Sequence, residues 1–120
     1  MMGTFEWPVQ ISSLDGERSA RVEAIVDTGA FYSALPAPVL RELGIEPQEK
    51  RRMRLADGRL VEVDLGFAFV AVDGRRTPTS VVFSADDAPI LLGALALEAL
   101  RLAVDPEGQR LVPNEQIMLY

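Results

Sequence analysis

An aspartate stands at the end of a strongly apolar run, in the stretch AIVDTGAFYSAL. Strand propensity ends at Val26, and Gly29 permits a sharp turn that a residue with a side chain would resist. Such a loop can present the Asp27 carboxylate while backbone N–H groups and Thr28 hold it, and a held carboxylate can act as a general base or acid. The same residues are also typical of an ordinary turn in which the aspartate caps its own loop. The rest of the chain decides between these interpretations.

The residue types that the chain lacks restrict the chemistry further. Its 120 residues include no histidine and no cysteine, and lysine occurs once, at Lys50. This excludes histidine-based triads, thiol nucleophiles and disulfides, and leaves carboxylates or tyrosine for proton transfer. Asp86 and Asp87 suggest a metal, but no second acidic cluster lies near them in the sequence. We therefore predict a site without metal and without cofactor.

Three Asp-Gly pairs predict β-hairpins, because each lies between segments of strand character. The pairs are Asp15-Gly16, Asp57-Gly58 and Asp73-Gly74. The hairpin rule for such pairs predicts a tip of two residues at Asp57-Gly58. In RSARVEAIV and RLVEVDL, apolar residues alternate with polar ones, which is typical of strands with one wet face.

Two short helices complete the predicted elements. One covers Ala37 to Gly44 and has Pro38 in its first turn, and the other covers Ala94 to Arg101 and is rich in helix formers. The chain closes with QRLVPNEQIMLY, predicted as a strand followed by an apolar end. Together the elements predict a single domain over residues 1–120, all-β in class with two short helices, most simply a small closed β-barrel.

Three motifs, in order, resemble those of the retropepsin-like aspartic protease family. The first motif is the active-site loop, in which two apolar residues are followed by Asp27, Thr28, Gly29 and Ala30. The second motif is two aliphatic residues and a glycine before a helix, here Leu91, Leu92 and Gly93. Between them the family places a hairpin called the flap, and its tip here would be Ala56, Asp57 and Gly58. The resemblance covers nearly the whole chain and is closest to single-domain, dimeric members.

The resemblance implies a specific mechanism. Two carboxylates close together cannot both ionise cheaply, so the pair shares one proton and activates a water. The chain has one Asp-Thr-Gly, so a two-fold homodimer must bring two Asp27 residues together as the catalytic pair. Thr28 is expected to point its hydroxyl across the axis, and the Gly29 N–H to approach the carboxylate. Ala30 stands where pepsin-like enzymes carry a hydroxyl residue, which implies activity nearer neutral pH than that of pepsin.

The function that follows is that of an aspartic endopeptidase acting on a peptide or protein substrate. The alternative is a catalytically inactive dimer of the same fold that serves as a peptide-binding or interaction module, because fold does not establish function. Ala94 departs from the viral members, which carry a dimer-supporting arginine after the glycine.

Charge and hydropathy restrict the partners. The formal net charge is −6, which argues against nucleic acid or an anionic membrane as a partner. The most apolar window, residues 88–104, contains Glu98 and Arg101 and is too short to span a bilayer comfortably, so we predict that it belongs to the core. The first residues do not have the pattern of a signal peptide, and with the absence of cysteine this predicts a cytoplasmic location.

Several other residues have more than one interpretation. A basic run can bind phosphate or form the solvated base of the flap; it comprises Lys50, Arg51, Arg52 and Arg54. Phe31 and Tyr32 either line the cleft or pack under it. Ser33 has no histidine to activate it, so it is predicted to be a structural hydroxyl or a helix cap.

Overall fold

The fold is that of a computed structural model, which describes residues 4–114. Over these residues the chain forms nine strands and two helices. The strands are β1 (Phe5–Ser12), β2 (Ser19–Val26), β3 (Ser33–Pro36), β4 (Glu49–Arg54), β5 (Leu60–Val72), β6 (Arg75–Ser84), β7 (Leu91–Leu92), β8 (Leu102–Asp105) and β9 (Arg110–Pro113). The helices are α1 (Ala37–Glu42) and α2 (Ala94–Leu100). The prediction of a mostly β fold with two short helices is confirmed.

All three Asp-Gly pairs lie in hairpin connections, as predicted. Asp73 and Gly74 form a two-residue turn between β5 and β6, with Val72 opposite Arg75. Both turn residues have positive φ, 51° and 82°, and this conformation matches the twist of the flanking strands. The connection between β1 and β2 is longer and spans residues 13–18.

The connection between β4 and β5 corrects one prediction. It contains five residues, 55–59, so the predicted two-residue tip was wrong. The Gly58 N–H donates to the Leu55 carbonyl over 2.9 Å, and Gly58 alone in this connection has positive φ, +90°. A two-residue hairpin of the Asp-Gly type needs two consecutive left-handed residues, whereas a turn followed by one left-handed glycine produces the longer tip observed here.

Six strands close into a ring. The sheet has the order β1-β2-β7-β3-β6-β5-β4, and β1 also pairs with β5. This second pairing places Gln10 opposite Ala71 and Ser12 opposite Phe69. β4 lies outside the ring and pairs with the first part of β5. The pairing of β1 with β5 leaves no free edge between the six strands of the ring, as the barrel prediction expects.

The strand β5 belongs both to the ring and to the hairpin outside it. Its residues 60–64 pair with β4 alone, whereas residues 65–72 pair with β6. At Gly66 an added Cβ atom would lie 2.9 Å from the Phe83 ring and 3.0 Å from the Glu46 carbonyl oxygen. The strand therefore packs against its neighbours at Gly66 too closely for any side chain.

The core fills the ring with apolar side chains from most of the strands and both helices. Val26, Leu35, Leu40 and Val81 are completely buried. In β2 the predicted alternation is confirmed, because Ala24 and Val26 are buried while the charged residues before them, Arg21 and Glu23, are exposed. Burial of these side chains is the main favourable contribution to the stability of the fold.

The region after α2 forms a separate two-stranded sheet, β8–β9. Its Leu102 and Leu111 are buried in the core cluster. Arg75 Nη1 donates to the carbonyl oxygens of Leu100 (3.1 Å) and Arg101 (2.9 Å), so it satisfies carbonyls at the C-terminal end of α2 that have no partner within the helix. The predicted strand in QRLVP is β9, and the predicted apolar end lies outside the described residues.

Both helices agree with their predicted positions. α1 begins at the predicted Ala37 but ends at Glu42, two residues before the predicted Gly44, which has φ +75° and directly follows the cap residue Leu43. α2 ends one residue before the predicted Arg101, which adopts a left-handed conformation as its cap. Within residues 4–114, no helix has the length and apolar character needed to cross a membrane.

The central position of Leu35 generates a prediction on stability. Leu35→Ala removes buried methyl groups and leaves a cavity, so we expect the free energy of unfolding to fall by about 3 kcal/mol. Urea unfolding at a fixed protein concentration measures this change. Leu14→Ala is the matched control, because Leu14 is 52% exposed, and we expect it to change the same quantity by less than about 0.5 kcal/mol. Equal losses in the two variants would contradict the assignment of the core.

Candidate active site

Asp27 is fixed by the pairing of two strands. It directly follows β2, whose Val26 pairs in parallel with Leu92 of β7. The Asp27 N–H donates to the Leu92 carbonyl over 3.0 Å. The main chain that carries the carboxylate is therefore held against the second of the two predicted motifs.

The loop after Asp27 turns around its carboxylate. Asp27 Oδ1 accepts a hydrogen bond from the Gly29 N–H at 2.9 Å, and the Ala30 N–H donates to the Asp27 carbonyl at 3.1 Å. A Cβ atom at position 29 would lie 3.2 Å from Oδ1, so glycine gives the carboxylate the room it needs. Asp27 caps its own turn, as in an ordinary Asp-x-Gly turn, while Thr28 and Gly29 are exposed to solvent. Within residues 4–114, Asp27 Oδ2 accepts no hydrogen bond.

The second motif contacts the loop after Asp27 through Gly93. Gly93 packs against the main chain of residues 31 and 32, and an added Cβ atom would lie only 2.6 Å from the Tyr32 carbonyl oxygen. The Gly93 N–H donates to the buried hydroxyl of Ser33 over 3.0 Å. The prediction that Ser33 is a structural hydroxyl is therefore confirmed.

The first turn of α2 continues this contact. The Ala94 N–H donates to the Ala30 carbonyl at 2.8 Å, and the Leu95 N–H donates to the Phe31 carbonyl at 3.0 Å. The first N–H groups of a helix have no partner within it. Here the active-site loop supplies the acceptors, so the loop and the start of α2 are joined directly.

The flap hairpin, β4 and β5 with residues 55–59 between them, has a well-defined tip. The Leu55 N–H donates to the Arg59 carbonyl at 2.8 Å. The Asp57 carboxylate accepts the Arg59 backbone N–H at 3.0 Å and its Nε–H at 2.7 Å. These two hydrogen bonds from Arg59 hold the pKa of Asp57 below its usual range.

A cleft of about 620 Å³ lies between the flap and the active-site loop. It brings together residues from all three predicted motifs: Gly29, Ala30, Ala56 and Leu91. Asp57 and Gly58 form the flap tip but do not line the cleft. Phe31 and Tyr32 do line it, which decides between their two interpretations.

Other wall residues were not identified from the sequence. Met53, Val61 and Val63 line the cleft from the flap, and Val82 lines it from the ring. The alternation in RLVEVDL indicated that Val61 and Val63 lie on the same face of the strand. The sequence did not indicate that this face lines a cleft.

Two of the four residues of the basic run form surface ion pairs. Lys50 Nζ lies 2.9 Å from Asp64 Oδ1 on the neighbouring strand, and this hydrogen bond raises the pKa of Lys50. Arg51 donates to Glu49 and to the Tyr32 hydroxyl, both at 2.9 Å. The nearby charge of Glu49 raises the pKa of Arg51, so the guanidinium stays charged. These exposed pairs favour the solvated base of the flap over a phosphate site.

No metal-binding group is evident in the described part of the chain. Within residues 4–114, no three acidic, histidine or cysteine side chains lie together in a way that could hold an ion. Asp86 and Asp87 lie in an exposed connection between β6 and β7.

The bond between Ser33 and Gly93 generates a prediction. Ser33→Ala leaves the Gly93 N–H without its acceptor in a buried position, so we expect the free energy of unfolding to fall by about 1–3 kcal/mol. Thermal and urea unfolding measure the loss. Ser19→Ala makes the same chemical change at an exposed position and is expected to be nearly neutral. A neutral Ser33→Ala variant would show that this hydrogen bond does not hold the two motifs together.

Comparison with known proteins agrees with this geometry. The sequence profile of the family described as aspartyl protease matches residues 7–96. Among solved structures, the chain is similar to the EIAV protease in complex with the inhibitor HBY-793, with 22% identity and a TM-score of 0.59, over 80% of this chain and 86% of that one. It is also similar to the simian foamy virus (mac) protease, with 20% identity and a TM-score of 0.53, over 78% of this chain and 93% of that one.

A bacterial structure has the same fold. Lpg0085 of Legionella pneumophila, a protein of unknown function, matches with 16% identity and a TM-score of 0.54, over 92% of this chain and 95% of that one. The sequence matches no curated protein. The structural similarities are those of the retropepsin-like fold, and the profile match extends from Trp7 in β1 to Ala96 in α2. The chain belongs to the aspartyl protease family.

Proposed function

We propose that the protein is a homodimeric aspartic endopeptidase in which Asp27 of each copy forms the catalytic pair. The observation that carries this proposal is that Gly29 and Ala30, in the loop that follows Asp27, line an apolar cleft whose other side is formed by the flap hairpin. A cleft of this kind can accept a side chain of a bound peptide while the main chain of that peptide lies across the loop.

The chemistry requires two carboxylates. One ionised carboxylate takes a proton from water, and the other, protonated, donates a hydrogen bond to the peptide carbonyl. Among residues 4–114, no hydrogen bond or ion pair joins Asp27 to a second acidic side chain. A second copy of the chain, related by a two-fold axis, would supply the missing carboxylate.

The exposed residues of the loop suit such an axis. Thr28 and Gly29 are open to solvent although Val26, the last residue of the strand before them, is buried. In the proposed dimer, the Thr28 hydroxyl donates across the axis to the partner loop and locks the two loops together. The Gly29 N–H keeps the carboxylate oriented toward the water.

The remaining motif residues have supporting roles in the proposal. Leu91, Leu92 and Gly93 hold the loop through the contacts of β7 and the start of α2. The flap covers the bound peptide and excludes water, and Ala56 is the tip residue that lines the cleft. We further propose a single domain without cofactor. A cytoplasmic location is suggested by the lack of cysteine, and the net charge of −6 makes nucleic acid an unfavourable partner.

The central test replaces the catalytic carboxylate. We expect Asp27→Asn to lower kcat/KM for a cleaved peptide by at least about 10²–10⁴-fold, because Asn cannot transfer the proton. The readout is mass-spectrometric cleavage of a diverse peptide library. Asp86→Asn is the matched control, since it makes the same change in an exposed connection and should retain full activity. Activity that survives in Asp27→Asn would rule out the aspartic mechanism.

Mixed dimers test the shared site. If wild type and Asp27→Asn are refolded together in equal amounts, random pairing leaves about a quarter of the dimers with two aspartates. Activity should fall to about a quarter of that of the same total amount of wild type, whereas independent sites would retain about half. A solution mass of one chain at working concentration would exclude the two-copy site. No cleavage by wild type between about pH 3 and pH 8 would favour the inactive binding module instead.

The shared proton also predicts the pH dependence. One carboxylate must be protonated and one ionised, so kcat/KM should follow a bell-shaped curve. Ala30 offers no hydroxyl to stabilise the ionised pair, so we expect the maximum above about pH 4. A peptide without ionisable side chains is the substrate, and circular dichroism over the same range shows that the protein stays folded. A maximum well below pH 4 would contradict the role assigned to Ala30.

A further inference from the structure

We infer that the hydrogen bond between Arg51 and Tyr32 acts as a latch that holds the flap hairpin over the active-site loop. Tyr32 and Arg51 are then positioning residues, and the hairpin must break their hydrogen bond when it opens. The consequence for peptide entry rests on the proposed function, because it concerns the same cleft. The latch itself is a property of the fold and can be tested without any cleavage.

The loop end of the latch is held by several contacts. The main chain of Tyr32 packs so closely against Gly93 that an added Cβ atom there would lie 2.6 Å from the Tyr32 carbonyl oxygen. The neighbouring Phe31 carbonyl accepts the Leu95 N–H at 3.0 Å. The rings of Phe31 and Tyr32 meet edge to face, with their centroids 4.9 Å apart. The Tyr32 hydroxyl is therefore carried by a main chain that α2 and its preceding glycine hold in place.

The flap end of the latch lies on the face of the hairpin that lines the cleft. Arg51 lies opposite Val63 in the strand pairing and two residues before Met53 on β4. Residues two apart in a strand share a face, and both Met53 and Val63 line the cleft. From this face Arg51 Nη1 donates to the Tyr32 hydroxyl at 2.9 Å. Arg51 does not itself line the cleft, so the latch lies at its margin.

Glu49 orients the guanidinium of Arg51. Its Oε1 accepts a hydrogen bond from Arg51 Nη2 at 2.9 Å, while Nη1 is directed to Tyr32. A guanidinium holds its donors in a fixed fork, so the first hydrogen bond restricts the direction of the second. The charge of Glu49 also raises the pKa of Arg51, and a charged donor makes a stronger hydrogen bond than a neutral one.

The latch is the direct polar connection between the flap hairpin and the loop. Of the hydrogen bonds that the structure describes between residues 4 and 114, it alone joins residues 49–64 to residues 27–34. The first part of β5, residues 60–64, pairs with β4 and with no strand of the ring. A single exposed hydrogen bond is weak enough to break and form again, which suits a contact that must open repeatedly.

Relaxation-dispersion NMR of the free protein measures how much of the open flap is present. Tyr32→Phe removes the hydroxyl and keeps the ring, and Arg51→Met removes the donors and keeps most of the aliphatic stem. We expect either substitution to raise the open population by about two- to tenfold, the factor that corresponds to the net strength of one hydrogen bond. Because the hydrogen bond is exposed, urea unfolding should show both variants to be nearly as stable as the wild type.

A double-mutant cycle shows whether the two residues act together. Arg51→Met should cause no further increase in the Tyr32→Phe background, because the hydrogen bond is already absent. Arg52→Met is the matched control, since it makes the same change at an exposed residue on the other face of the strand, and it should keep the open population of the wild type. Additive effects of the two substitutions, an equal effect of Arg52→Met, or an unchanged open population in Tyr32→Phe would each overturn the latch.

In the proposed protease, the latch slows both the entry and the release of a peptide. Stopped-flow binding tests this in the Asp27→Asn background, with a peptide that the wild type cleaves as the probe. We expect Tyr32→Phe to raise the association and dissociation rate constants by the same factor and to leave Kd nearly constant, since the latch closes over the free and the occupied cleft alike. Unchanged rate constants in a variant whose flap opens more often would overturn this role in peptide entry.

The outcomes separate the latch from the proposed function. If the wild type cleaves no peptide, the proposed function fails, whereas the NMR populations of the free protein still decide whether the latch exists. If cleavage depends on Asp27 but the open population is the same in Tyr32→Phe and the wild type, the latch fails and the proposed protease stands.

Discussion

The start of α2 donates its free N–H groups to the loop that carries Asp27, and the arrangement of the site depends on this contact. The donors are the N–H groups of Ala94 and Leu95, and the acceptors are the carbonyls of Ala30 and Phe31. A helix end must find acceptors outside the helix, and burial makes an unmet donor costly. A different path of the loop would leave these N–H groups of the helix without acceptors and would therefore destabilise the fold. Gly93 adds a steric condition, because no side chain fits against the Tyr32 carbonyl.

Much of this arrangement could be predicted from the sequence, because its signals are local. Three Asp-Gly pairs marked the hairpins, and Gly44 marked the end of α1. The order of the motifs indicated the family, which the profile match over residues 7–96 confirms. These features depend on a few neighbouring residues whose conformational preferences are strong.

The remaining features depend on residues that are distant in the chain. Ring closure pairs Gln10 with Ala71, and no local pattern specifies that partner. The contact between Tyr32 and Arg51 joins the loop to β4, and no local pattern in the sequence specifies that pair of residues. The flap tip was misjudged for a different reason: an Asp-Gly pair is compatible with two hairpin geometries, and the observed one uses a left-handed conformation only at Gly58. The catalytic role of Asp27 remains a proposal because it concerns a second chain.

The long strand β5 connects the flap hairpin to the ring. Its first part is bound to β4 alone, and its second part is part of the ring, with Gly66 wedged between Phe83 and the Glu46 carbonyl just past the boundary. The outer part of the hairpin is therefore attached to the ring through β5, close to the point where Gly66 packs against its neighbours. The hairpin also reaches the loop that carries Asp27, through the exposed hydrogen bond from Arg51 to the Tyr32 hydroxyl. In the proposed protease, a peptide that displaces the hairpin would therefore act on this exposed hydrogen bond, whereas the main chain of Asp27 is held separately by its pairing with β7.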